Sequence, residues 1–214
     1  MRLTALTWPF PFGVRLGWAT CSVPNPKLGE EVGRVYLLRG MGAVFSVGFG
    51  RIGDALRRAG WWTEDLRCVG DVWLRKHLRK EKAAGRLRGP LVLVGHSCGG
   101  RYALYSAQQL AQDGIQVDLL MCVDVAWAFP VAANVRQAVH LYRSRWRLYP
   151  AKPLLPAPGA QSLIENVDID ADPSLRGWGM CHLNVTAYAA VQDAILTHIR
   201  SLTPASRRST HHAA

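Results

Sequence analysis

A chain of 214 residues, 49% hydrophobic and 19% charged, is long enough for one domain with a substantial core and excludes a largely disordered or fibrous protein. The formal net charge of +11 raises nucleic acid, anionic lipid or an acidic polymer as partners. No aromatic-interleaved groove or zinc-finger spacing accompanies it, so the excess reads as solvated surface, with no nucleic-acid partner expected.

Residues 1–32 read as an N-terminal extension with a basic start and apolar character, a degenerate form of an export signal. Pro9, Pro11 and Arg15 interrupt its apolar core, and Thr20 fits poorly before Cys21 as a lipoprotein-type cleavage site. Cytoplasmic and exported locations therefore both stay open. Gly33 to Leu38 reads as a buried strand ending in Arg39-Gly40-Met41-Gly42. Helical periodicity follows over 45–59, with Phe45, Phe49, Ile52 and Leu56 on one face and Gly60 as the stop. A short strand is expected over 66–69, and Asp71 caps a basic helix from 72 to about 87. The run Arg75-Lys76-His77-Leu78-Arg79-Lys80-Glu81-Lys82 is its solvated face.

A strand over 91–94, a helix over 98–112 and a continuous apolar strand over 117–123 come next. Beyond a loop at Phe129-Pro130, the pattern predicts a helix from 134 to about 145, a proline-rich stretch over 150–158 and a strand over 163–169. A terminal helix is expected over 185–202, then a flexible tail over 203–214 whose His211 and His212 are too few to argue for a metal. Strands alternating with helices predict an α/β domain over 33–202, a mostly parallel sheet with helices on both faces. The five cysteines are widely spaced with no C-x-x-C, so Cys21, Cys68, Cys122 and Cys181 read as buried reduced thiols. No apolar run reaches the roughly 18 residues of a membrane-spanning helix.

Directly behind Pro90-Leu91-Val92-Leu93-Val94 stands Gly95-His96-Ser97-Cys98-Gly99, and a helical pattern follows. A buried strand breaking into G-x-S-x-G and then into a helix describes a nucleophile elbow, with Ser97 at its apex and His96 packed beside it. A serine hydroxyl needs a base to take its proton, and the base needs an orienting carboxylate. In open α/β sheets such groups gather at the carboxyl ends of the strands. Asp124, immediately past the strand over 117–123, is the favoured acid, with Asp168, Asp170 and Asp172 as competitors. Asp118 opens its strand at the wrong end, and Asp193 lies mid-helix. His182 stands in a loop before the terminal helix and is the expected base, whereas His77, His140 and His198 fall in predicted helices. The oxyanion hole is expected from the backbone N–H groups of Cys98 and Met41, the latter in the Gly40-Met41-Gly42 loop.

On these motifs the chain resembles a small bacterial serine hydrolase of the α/β-hydrolase superfamily, from about Gly33 to Leu202. The resemblance implies Ser97 as nucleophile, Asp124 as acid and His182 as base. It also implies an acyl-enzyme route needing neither metal nor organic cofactor. An acid directly after the strand that follows the elbow is similar to thioesterase-type members. Arg39-Gly40 departs from the His-Gly found in many relatives, and few residues are available for a lid. The expected activity is hydrolysis of a small-molecule or lipid-like carboxylic ester, of esterase or lipase type. A thioesterase and a catalytically inactive scaffold that binds through the basic helix are the alternatives. Oligomeric state is not read from the sequence.

Overall fold

The computed structural model describes residues 21–41, 46–67, 71–145 and 151–203. Six strands form one parallel sheet: β1 (Arg34–Leu38), β2 (Trp62–Leu66), β3 (Leu91–His96), β4 (Val117–Val123), β5 (Val135–Tyr142) and β6 (Leu163–Asp168). Their order is β2-β1-β3-β4-β5-β6. The helices are α1 (Gly48–Arg58), α2 (Asp71–Ala83), α3 (Cys98–Gln112) and α4 (Ala189–Ser201), with a 3-10 turn at Val185–Ala187.

The continuous apolar runs are the central strands because both of their faces are covered. Val35, Leu37, Val92, Val94, Leu119, Met121 and Val123 pack with Phe49, Ile52 and Leu56 of α1 and Val191, Ile195 and Ile199 of α4. Their neighbours Tyr36, Leu38, Leu93, Leu120 and Cys122 face the other layer, with Leu74 and Leu78 of α2 and Leu104 and Leu110 of α3. Successive strand residues point to opposite faces, so one apolar run supplies both layers.

The helix expected over 134–145 is instead β5, paired with β4 and β6. A short apolar run does not by itself distinguish strand from helix. Here Val139 and Leu141 enter one layer while Ala138 enters the other, a period of two that only the neighbouring strands reveal. The second strand lies at Trp62–Leu66, earlier than the expected 66–69, because Gly60 (φ 80°) turns the chain straight from α1 into the edge strand. Its sequence Trp-Thr-Glu-Asp-Leu is half-exposed and carries little apolar signal. The basic helix ends at Ala83, not near 87, and the terminal helix is divided into the 3-10 turn and α4.

The basic helix is exposed at Lys76, Arg79, Lys80 and Lys82, as a solvated face requires, but it is also anchored. Arg75 Nε donates to Asp113 Oδ2 at 2.8 Å, and Lys82 Nζ donates to the carbonyls of Asp113 and Gly114 at the C-terminus of α3. Cations there complement the helix dipole. Residues before β1 also pack on the domain: Asp54 accepts the Ser22 and Val23 N–H groups, and Asn25 accepts the Thr63 N–H.

Among the cysteines, Cys122 is buried as expected, whereas Cys21 and Cys98 are half-buried and Cys181 is exposed. Cys181 belongs to a loop, and loops run over the surface where water meets their backbone groups. The export-like segment over 1–20, Gly42, Phe45, Cys68, Pro150 and the tail from 204 lie outside the described residues. No described helix is long and apolar enough to cross a membrane.

Candidate active site

Ser97 sits between β3 and α3 with φ 55° and ψ −127°, a backbone conformation that a residue with a Cβ adopts only under constraint. The constraint is visible on both sides. Its N–H donates to the Val123 carbonyl at 3.0 Å, tying it to β4, and its own carbonyl accepts the Gly100 and Arg101 N–H groups of the first helical turn. A Cβ on Gly95 would lie 2.4 Å from the backbone of Gly100, and one on Gly99 would lie 2.1 Å from the Leu38 carbonyl oxygen. Glycine at both positions is what permits the turn to be this tight.

The three residues expected to act together meet at the carboxyl ends of the strands. Ser97 Oγ lies 2.8 Å from His182 Nε2, and His182 Nδ1 lies 2.9 Å from Asp124 Oδ2. An ionised carboxylate only accepts, so Nδ1 carries the proton and Nε2 is left to accept from the Ser97 hydroxyl. Asp124 is 1% exposed, and its Oδ1 has no hydrogen-bond partner among the described residues. It adopts φ 49°, held by its N–H donating to the Leu141 carbonyl, while the next N–H, of Val125, donates to His140 Nε2. Burial pushes the His140 pKa down to about 4, so it stays neutral and keeps that acceptor.

The competing acids serve elsewhere. Asp170 pairs with Arg143 at 3.1 Å, Asp168 accepts the Ser144 and Asp170 N–H groups, Asp172 accepts from Ser174, and Asp118 accepts the Leu91 N–H. Asp193 is on α4. Of the other histidines, His198 is on α4 near Glu165, and His77 stacks on Trp73 with centroids 4.7 Å apart.

His96 does more than pack beside the elbow. It is fully buried, with Nδ1 2.9 Å from Ser46 Oγ and Nε2 2.9 Å from the carbonyl oxygen of His182. Burial, then the His182 ring, pushes its pKa down to about 3, so it is neutral. A carbonyl only accepts, so Nε2–H donates to it, Nδ1 accepts from the Ser46 hydroxyl, and Ser46 Oγ accepts the Gly40 N–H at 2.9 Å. One directional chain thus connects the loop after β1 to the backbone of the histidine loop. Arg39 secures the same loop from the other side: Nε and Nη2 grip Asp65 of β2, and Nη1 donates to the Ser46 carbonyl. This bidentate pair fixes the loop that carries Arg39-Gly40.

Gly40 passes close over Ser97; a Cβ there would lie 3.3 Å from Ser97 Cβ. Met41 follows with its side chain exposed, and Cys98 opens α3. Cys98 thus follows Ser97 directly in the chain, and Met41 follows the glycine that packs against it. Ser46 and Asp65 carried no recognisable signal in the sequence, because each is defined by a partner brought up by the sheet. No cluster of three or more His, Cys, Asp or Glu suited to a metal occurs among the described residues.

No protein-family model matches the chain, and no curated protein matches it. Solved structures do. The esterase domain of a Rhodothermus marinus protein superposes with a TM-score of 0.53 at 15% identity, over 83% of this chain and 90% of that one. The NocB thioesterase domain of the nocardicin cluster gives 0.49 at 13% identity, over 78% and 94%. A hydrolase of the alpha/beta superfamily from Xanthomonas campestris pv. campestris gives 0.44 at 19% identity, over 79% and 99%. The six-stranded parallel sheet with helices on both faces is thus a fold shared with the Rhodothermus marinus esterase domain.

Proposed function

We propose that the protein is a serine hydrolase that cleaves carboxylic esters through an acyl-enzyme. The carrying observation is the unbroken chain Ser97 Oγ–His182–Asp124, with links of 2.8 and 2.9 Å. His182 Nε2 takes the hydroxyl proton as Ser97 Oγ bonds to the ester carbonyl carbon, and the carbonyl electron pair moves to oxygen. The resulting imidazolium faces the buried Asp124 carboxylate, whose charge has no other described hydrogen-bond donor at Oδ1.

The backbone N–H groups of Met41 and Cys98 are the donors for the oxyanion, and the N-terminus of α3 adds its dipole. Collapse of the tetrahedral intermediate expels the alcohol, which takes the proton from His182. Water then enters and gives a proton to the same nitrogen as its oxygen bonds to the acyl carbon; the bond to Ser97 Oγ breaks, Oγ takes that proton back, and the acid leaves. The substrate is a small-molecule or lipid-like ester. A thioester is the second reading, favoured by Asp124 standing directly after β4, the strand beside the nucleophile strand.

A fluorophosphonate probe tests the reading. Native protein is expected to label covalently, and Ser97→Ala is expected not to. Equal labelling of the two would remove Ser97 as the nucleophile, and labelling of neither would favour a binding scaffold; either result overturns the reading. Turnover of p-nitrophenyl esters against acyl-CoA then separates ester from thioester preference.

A further inference from the structure

Three non-glycine residues adopt positive φ among the described residues: Ser97 at 55°, Asp124 at 49° and Trp127 at 50°. The first two belong to the hydrogen-bonded triad. A bulky residue in this region is a genuine outlier, and such strain persists where the surroundings over-determine it, most often at functional sites. Trp127 is also 69% exposed, so burial of the indole does not explain the strained backbone.

The indole borders a cavity of about 420 Å³ whose other walls include Phe129, Pro130, Pro153, Leu154 and Leu155. That size and apolar lining suit a small-molecule site. Ser97, Asp124 and His182 do not themselves line the cavity, but two of its walls adjoin their neighbours. Its first wall is the loop that leaves Asp124, and the Phe129 ring lies 4.8 Å from the guanidinium of Arg101, whose N–H donates to the Ser97 carbonyl. The charged residue of the lining is Lys152, and with Arg101 on the Phe129 ring the site disfavours a cationic group despite its aromatic walls.

We infer that this cavity holds an unbranched apolar chain of the ester, so that Trp127 selects long-chain over short-chain substrates. The inference rests on the serine-hydrolase reading above. Each methylene that leaves water for such walls is worth up to about a fourfold gain in kcat/KM.

The test compares p-nitrophenyl acetate, butyrate and octanoate for a chain on the acyl side. Ethyl, butyl and octyl acetate serve for a chain on the alcohol side. All rates are normalised to the fluorophosphonate-reactive fraction. In one series kcat/KM is expected to climb with chain length. Trp127→Gly, which removes the indole and relieves the positive φ together, should lower the octyl-to-acetyl or octyl-to-ethyl ratio by roughly tenfold or more. Leu155→Asp, at an exposed wall position on a different segment, should do the same. A labelled enzyme with flat ratios in both series, or a steep ratio unchanged in both variants, overturns the chain-binding role alone. Native protein that does not label overturns the hydrolase reading and this one with it.

Discussion

The two ends of the parallel sheet bury polar groups in opposite ways. At the amino end Arg34 is 1% exposed and lies between two carboxylates, Glu81 at 2.8 Å and Glu31 at 3.2 Å, with the Arg86 carbonyl as a further acceptor. Arg86 also grips Glu81, and hydrogen bonds from Arg86 and then Arg34 hold the Glu81 pKa down to about 2 against the desolvation that raises it. At the carboxyl end one buried carboxylate, Asp124, faces a histidine, and neutral His96 and His140 support the loops around it. All three strained non-glycine residues are at that end. Opposite charges pin α2 and residue 31 to the sheet at the amino end, although Arg34 Nε, like Asp124 Oδ1, has no hydrogen-bond partner among the described residues; what sets the carboxyl end apart is its strained backbone.

This contrast gives each end its own expected response to mutation. Asp124→Asn should lower kcat by roughly 10³- to 10⁴-fold, because the amide leaves the wrong imidazole tautomer facing Ser97. Thermal unfolding of that variant should stay close to native, and Asp170→Asn should show no comparable loss of rate. A large loss from Asp170→Asn instead would move the acid to the loop after β6. Glu81→Ala at the opposite end should reverse the pattern, costing about 3 kcal/mol in urea unfolding by leaving Arg34 under-paired. Its kcat per folded molecule should be unaltered, and a fall in kcat would mean that the two ends are coupled.

His96→Leu tests the polar chain between the loop after β1 and the histidine loop. Loss of the donor to the His182 carbonyl should lower kcat by up to about 10²-fold through misplacement of the base, with KM little changed. His96→Gln, which can still donate to that carbonyl, should recover part of the rate. Equal rates in the two variants would reduce His96 to a packing residue.

Much of this arrangement was legible before folding. β4 and α3 stand at the residues their periodicity predicts, and the elbow, the acid after β4 and the histidine before the terminal helix come together as their order implies. Local chemistry explains why: a buried central strand must be continuously apolar, and a strand-to-helix turn this tight requires glycine beside the serine. β5 was misread as a helix because its run of eight residues satisfies either period until β4 and β6 flank it. β2 was displaced because an edge strand, half in water, need not be apolar.

Ser97 and Asp124 were therefore written into the chain as residue types at strand ends and His182 as a loop histidine before the terminal helix, and the parallel fold followed from alternating apolar runs. Tertiary structure alone decided how they are held. Ser46, His96 and the His182 carbonyl are separated by 50 and 86 residues along the chain yet form one hydrogen-bonded line. Arg39 finds Asp65 only because β1 and β2 lie side by side. Sequence periodicity reports which face of an element is buried. The direction of a hydrogen bond, the tautomer of a buried histidine and the strain at Trp127 depend on which groups the folded chain sets against one another.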